Sequence, residues 1–301
     1  MAQVSAYGST NGWCEMLNIP TYYTPNLNNA GVQVVCFDAA GTRKDTPFIV
    51  TLNRRNDTFG VEGGYLAAET SMVTQSFVTN SAATDGALSA WNSTGQDIRH
   101  DRYAAGIYLV TFKGQTYSGG TAQVTAVTDW TPTRCQINGY APYYGDYIAW
   151  VLCTDTYGNY VDTGYSLSLT HNSPSGLPSF SYALADLPSP SGTYVPLPEH
   201  QTGVHGGQCQ VHTRSPITIT PRSGSTGVYD VTFPEMGTFA GYHAPATVTA
   251  FGGYGEHCNI LSKAGVQNGA ASAAVACYDT HGTPIATQFI VSLGLDVAII
   301  C

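Results

Sequence analysis

The chain has 301 residues, 43% of them hydrophobic and 11% aromatic, enough apolar surface to bury the cores of two or three domains and too much for a disordered chain. Charged residues make up only 10%, the net charge is -9 and lysine occurs three times (Lys44, Lys113, Lys263). No basic stripe exists to neutralise phosphates or anionic lipids, so nucleic acid is not expected as a partner.

The chain opens on half of a pattern that it then repeats in full. "VSAYG" (residues 4–8) precedes Cys14, and "CFDAAGTRKDTPFIVTL" runs from Cys36 to Leu52. "YLAAE" (65–69), "GIYLVTF" (106–112), "VTAVT" (124–128), Cys135 and "CTDTYGNYVDTGYSLSL" (153–169) follow in order. The same series returns as "YALAD" (182–186), "GVYDVTF" (227–233), "VTAFG" (248–252), Cys258 and "CYDTHGTPIATQFIVSL" (277–293). The three long segments begin 117 and 124 residues apart, the mark of a repeat architecture. The predicted domains are a C-terminal half unit at 1–55, complete units at 56–171 and 172–293, and an apolar tail, "GLDVAIIC", at 294–301.

Within each unit the apolar residues alternate with period two, β-branched and aromatic residues dominate, and Gly, Pro, Asn and Asp mark the turns. No amphipathic helix is evident. In D-A-A-G-T and D-T-Y-G-N the aspartate opens a hairpin turn and glycine takes the position where φ is positive. About seven or eight short strands per unit predict an all-β chain of tandem Ig-like β-sandwich repeats of about 120 residues, rather than barrels.

Six of the eight cysteines fall as one pair per unit: Cys14 with Cys36, Cys135 with Cys153, Cys258 with Cys277. These spacings suit two strands joined by a loop, and none has the C-x-x-C form that favours zinc or redox chemistry. Three disulfides, an oxidising compartment and a secreted protein are expected. Cys209 and Cys301 have no counterparts in the other units and remain unassigned between a mutual bond and an intermolecular one. No apolar run reaches the roughly 18 residues of a membrane span, and "MAQVSAYG" lacks the regions of a signal peptide. An exported chain would have lost its signal upstream.

A half unit leaves an apolar face and open strand edges that something must cover. Either the half unit packs against unit two and the tail extends the sheet of unit three, or the chain is part of a longer array, or the tail of one molecule inserts into the half unit of the next. The last account predicts head-to-tail self-association through Leu295, Val297, Ile299 and Ile300, aligned with "GLPSFSYA" at 176–183, with Cys301 able to lock the joint.

At these residues the repeat resembles a tandem domain of secreted proteins of actinobacteria and other soil bacteria. That domain reads roughly G-x-Y-x-V-x-F, then G-x-x-x-V-T-A-Y-G, Cys, and Cys-F-D-x-x-G-x-x-x-D-S-x-F-x-V. Gly106, Tyr108 and Phe112, Gly227, Tyr229 and Phe233, and the segments at Cys36, Cys153 and Cys277 carry the resemblance, which spans nearly the whole chain. It implies secretion and a β fold and brings no catalytic residues. The second Asp of the pattern is replaced at Ala286.

The familiar catalytic signatures are absent: no G-x-S-x-G elbow, H-E-x-x-H, Walker loop or EF-hand. No enzyme, cofactor or metal is expected. His200, His205 and His212 cluster around Cys209 in what reads as a glycine-rich loop. Asp38, Asp155 and Asp279, with Asp45 and Asp162, are calcium candidates. A carboxylate that accepts N–H bonds within its own turn accounts for the first three without an ion. Tyr140, Tyr143, Tyr144 and Tyr147 lie in and around one disulfide-closed loop, where tyrosines are able to stack on sugar rings. The expectation is a secreted, non-enzymatic structural or adhesive protein, with an extracellular carbohydrate-binding module using this loop as the alternative.

Overall fold

The computed structural model describes residues 2–19, 21–22, 30–52, 63–80, 84–85, 88–116, 119–171, 180–202, 215–234, 245–267 and 269–294. Almost all of the regular structure is β; the helical turns among these residues are Thr70–Val73 and Pro198–His200. The tail residues Leu295, Val297, Ile299 and Ile300, together with His205, Cys209, His212 and Cys301, lie outside the described residues.

Unit two is a sandwich. Strands Thr121–Val127, Gly164–Thr170, Gly63–Ala68 and Leu88–Asn92 lie side by side in one sheet. Strands Thr133–Tyr143, Asp146–Asp155, Ile107–Phe112 and Ile98–Ala104 form the other. Leu66, Val124 and Leu167 of the first sheet meet Tyr108, Phe112 and Val151 of the second in one core, the arrangement of two packed β layers. Unit three repeats the order: Ala246–Phe251, Gln288–Gly294, Phe180–Ala185 and Gln201–Thr202 in one sheet, His257–Gln267, Ala270–Tyr278, Val228–Phe233 and Thr218–Pro221 in the other. Unit one supplies only the corresponding halves, Ala2–Ala6 with Phe48–Leu52 and Trp13–Met16 with Val34–Phe37.

The three expected disulfides are present. Each joins residues directly opposite one another in neighbouring antiparallel strands: Cys14 and Cys36, Cys135 and Cys153, Cys258 and Cys277. An immunoglobulin disulfide crosses between sheets. Here both cysteines belong to one hairpin, so each bond closes a hairpin and leaves the sheets to be held by side-chain packing.

The half unit is covered by a closed ring of contacts. Val127 of unit two pairs in parallel with Met16 of unit one, Phe251 of unit three with Ile137 of unit two, and Tyr7 of unit one with Ile260 of unit three. The same hydrogen bond marks each joint: Thr128 N to Met16 O at 2.8 Å, Gly252 N to Ile137 O at 2.8 Å and Gly8 N to Ile260 O at 2.9 Å. Three equivalent contacts running in one direction and closing on themselves relate the units by an approximate three-fold axis. The half unit therefore packs on both of its neighbours, and not on unit two alone.

Cover is incomplete on the far side of unit one. Phe48 is 47% exposed and Leu52 50%, whereas their counterparts Tyr165, Phe289 and Leu293 are 0% exposed and Leu169 is 3%. The pairing register also sets Leu293 in the place of Leu169, opposite Ala246 and Ala122. On that register the tail 295–301 follows Gly294 as the segment from residue 171, ahead of the strand Phe180–Ala185, follows Thr170. The tail is apolar where the corresponding "HNSPSGL" is polar.

Candidate functional site

The site begins with the three strands on the axis, Ala2–Ala6, Thr121–Val127 and Ala246–Phe251. Their alternation reads as half-buried, yet nearly every residue is buried, because one face packs in a sandwich and the other meets the two neighbouring strands. Equivalent hydroxyls link them in a cycle. Thr125 Oγ1 accepts from Val4 N at 3.0 Å, Thr249 Oγ1 from Val124 N at 3.2 Å and Ser5 Oγ from Val248 N at 3.0 Å. Thr125 Oγ1 donates to Gln3 Oε1 at 2.8 Å, and Thr249 Oγ1 to Gln123 Oε1 at 2.6 Å. The buried amides are needed: Gln3 Nε2 donates to Ser166 O at 2.8 Å and Gln123 Nε2 to Ser292 Oγ at 3.1 Å. Thr125→Val removes a hydroxyl that serves a backbone N–H and a buried amide at once. We expect it to lower stability by about 2–4 kcal/mol, read from the urea midpoint at constant slope. A change below about 0.5 kcal/mol would show that the axis relaxes around the loss.

Below these strands a cavity of about 50 Å³ is lined by residues that flank the first cysteine of each unit, among them Trp13, Glu15, Arg134, His257 and Asn259. They lock the joints in turn. Glu15 of unit one accepts from Trp13 Nε1 at 2.6 Å and from Thr133 N of unit two at 2.7 Å. Arg134 of unit two donates to Gly255 O at 3.0 Å and Thr280 O at 3.1 Å of unit three, and its guanidinium lies 3.9 Å from the centre of the Trp13 ring. His257 Nε2 of unit three donates to Asn11 O of unit one at 2.9 Å, and Asn259 Nδ2 to Gly12 O at 2.7 Å.

Burial sets their charges. It pushes the Glu15 carboxyl up to about 8, against the Trp13 and Thr133 donors and the Arg134 charge. Burial lowers Arg134 to about 10, with Glu15, Asp279 and Asp155 opposing, and lowers His257 to about 3. At neutral pH the cluster holds one cation, with its polar atoms largely engaged by structural partners. That chemistry joins units; it does not present a nucleophile with its base.

The three aspartate turns gather at the same end. A Cβ on Gly41 would lie 2.7 Å from Thr156 Cγ2, one on Gly158 3.3 Å from Thr280 Cγ2, and one on Gly282 2.4 Å from Ala39 Cβ, so the turns touch in sequence around the axis. All three glycines have positive φ, +79°, +86° and +77°, which explains the residue choice. Oδ1 of Asp38, Asp155 and Asp279 accepts two backbone N–H groups of its own turn. Among the described residues no group of three or more His, Cys, Asp or Glu side chains is placed to hold a metal ion. Asp162 serves the fold: it accepts from Arg102 Nη2 at 2.7 Å, Gly106 N at 3.1 Å and Tyr108 OH at 3.0 Å. Asp45 is exposed.

The tyrosine loop divides. Tyr147 is buried beside His171, and Tyr140 packs edge-on against Phe251, so neither offers a face to a ligand; a two-residue turn at Tyr144 and Gly145 sends alternate side chains into the core. Tyr143 and Tyr144 stand at the hairpin tip, 56% and 92% exposed, with ring centres 4.6 Å apart. His200 is occupied locally, Nδ1 lying 2.9 Å from Asp186 Oδ2.

Glu15, Arg134 and His257 were not singled out from the sequence, although a signal exists: polar or aromatic residues flank the first cysteine of all three units. Among the described residues no helix is long and apolar enough to cross a membrane. Comparison of the chain with protein-family models, curated proteins and solved structures finds no match.

Proposed function

We propose that this is a secreted, non-enzymatic structural or adhesive protein of tandem Ig-like units that self-associates head to tail. The apolar tail of one molecule adds as a strand along Phe48–Leu52 of the next. The observation that carries the reading is the exposure of Phe48 and Leu52, whose counterparts are buried. In units two and three the equivalent strand is flanked by Gly63–Ala68 or Phe180–Ala185, running antiparallel. Among the described residues Phe48–Leu52 pairs on one side only, with Ala2–Ala6. Strand addition supplies both the missing backbone bonds and an apolar cover. Three hairpin disulfides favour an oxidising compartment, and a polar cluster spent on joining units favours a scaffold over a catalyst.

Light scattering and negative-stain microscopy under non-reducing conditions test this beside a variant lacking 295–301. Oligomers or filaments that vanish with the tail are expected. A compact monomer in both would end the reading. The exposed pair Tyr143 and Tyr144 keeps a second one open, glycan binding at the hairpin tip. A glycan screen with Tyr143→Ala and Tyr144→Ala decides it.

A further inference from the structure

A second open edge of unit one lies in the other sheet, along Val34–Phe37. The corresponding edges of units two and three are occupied by segments of identical pattern, G-x-Y-x-V-T-F, at 106–112 and 227–233. Each is seated by the same contacts. Cys153 N donates to Gly106 O at 2.8 Å and Cys277 N to Gly227 O at 2.9 Å. The tyrosine ring packs on the aromatic residue that opens the last strand, Tyr108 on Tyr165 with centres 5.3 Å apart and Tyr229 on Phe289 at 5.1 Å. In unit two the tyrosine hydroxyl and the glycine N–H converge on Asp162. Glycine is obligatory because a Cβ would lie 2.3 Å from Cys153 O at Gly106 and 2.4 Å from Ile285 O at Gly227.

Unit one keeps the receiving half of every one of these contacts. Its strand is in the same register, Cys36 opposite Cys14, and its return is the same, Lys44 N donating to Cys36 O at 3.0 Å as Val161 N does to Cys153 O at 3.1 Å. The Cys36 amide therefore faces the open edge. Phe48 stands in the place of Tyr165 and Phe289 but is 47% exposed. Asp45 stands in the place of Asp162 and is exposed; beside it the buried Thr46 Oγ1 has no hydrogen-bond partner among the described residues. Among the described residues no strand pairs with the outer side of Val34–Phe37.

We propose that this edge is a receptor for an extended segment with the pattern Gly-x-Tyr-x-Val-Thr-Phe. The glycine carbonyl accepts from Cys36 N, the tyrosine ring covers Phe48, and Asp45 takes the tyrosine hydroxyl and the glycine N–H, which fixes the register. Backbone pairing gives affinity, and the Phe48 and Asp45 pair gives the choice of sequence. The backbone edge belongs to the opposite sheet from Phe48–Leu52, but head-to-tail assembly and this docking both draw on the exposed Phe48, so competition with a tail peptide is what separates the two.

The test is fluorescence anisotropy of a labelled peptide, TGVYDVTFP, titrated with the intact chain. Saturable binding is expected. Asp45→Asn weakens it about tenfold or more, the value of one hydrogen bond to a charged acceptor. A peptide with phenylalanine in place of the tyrosine loses a similar factor against the unaltered chain and little more against Asp45→Asn, as a coupled pair requires. Phe48→Ser weakens both peptides, with an unchanged urea midpoint as the check that the variant still folds. No binding at millimolar peptide overturns the proposal, as does equal affinity for the phenylalanine peptide. Displacement by a tail peptide, GLDVAII, would show one shared edge and overturn the assignment, and self-association that blocks the peptide would assign the edge to a second copy.

Discussion

Replacing Glu15 by glutamine is expected to abolish a loss of stability that the unaltered protein shows as pH rises through neutrality. Burial raises the folded-state pKa of Glu15 from 4.5 to about 8, so across that window the folded state holds a proton that the unfolded state has released. The folded state is then the better proton binder, and stability falls with rising pH by up to about 1.4 kcal/mol per unit. The buried histidines act oppositely. Burial lowers His100 and His171 to about 4 and His257 to about 3, so each stays neutral when folded. Their contribution is complete above the ordinary histidine value of about 6.5 and is lost as pH falls towards their folded values. Between about pH 6.5 and 8 the histidines are neutral in both states, and Glu15 is left to set the slope. Chemical unfolding across that interval should show a loss of about 2 kcal/mol in the parent protein and little in Glu15→Gln. A flat profile in the parent would mean that Trp13, Thr133 and Arg134 hold Glu15 ionised in the fold.

The contrast between what was legible in the sequence and what was not has one physical source. Local pairing leaves local marks: Cys14 and Cys36 stand opposite each other in a hairpin, and the Asp38, Asp155 and Asp279 turns carry their acceptor and their positive-φ glycine within five residues. Strands and turns were therefore readable. The ring was not, because its contacts join residues some 120 apart, and the residues that make it are polar. Period-two alternation assigns Gln123 and Thr125 to the solvent face; both are buried, at 4% exposure, since a second and third strand occupy that face. The same blindness affected the tyrosines, whose packing depends on Phe251 and His171 from distant segments. What the sequence did offer was repetition: a hydroxyl at Ser5, Thr125 and Thr249 after the same valine in all three units is improbable for a solvated surface and natural for a shared axis.

Asp162→Ala and Asp45→Ala occupy the same place in the repeat and are expected to give opposite results. Asp162 is partly buried, which alone would raise its pKa; the Arg102 guanidinium, the Gly106 N–H and the Tyr108 hydroxyl hold it below the ordinary carboxylate range. Tyr108 is 0% exposed, so removing the carboxylate strands the hydroxyl's donor in the core and releases Gly106. The loss is estimated at about 2–4 kcal/mol near neutral pH. Because the folded pKa is depressed, the stabilisation is present above the unfolded value of 3.8 and disappears as pH falls through the folded one, so the two chains converge in acid. Asp45 is exposed and has no strand beside it among the described residues, so Asp45→Ala should change stability by less than about 0.5 kcal/mol at pH 7. Thermal and urea unfolding of both variants at pH 7 and pH 3 makes the comparison. Equal costs at the two positions would mean that unit one already fills its own edge, and would remove the ground for a docking strand. A large cost at Asp162 beside none at Asp45 leaves a carboxylate built for a tyrosine and a glycine, on a sheet edge open to a segment that brings them.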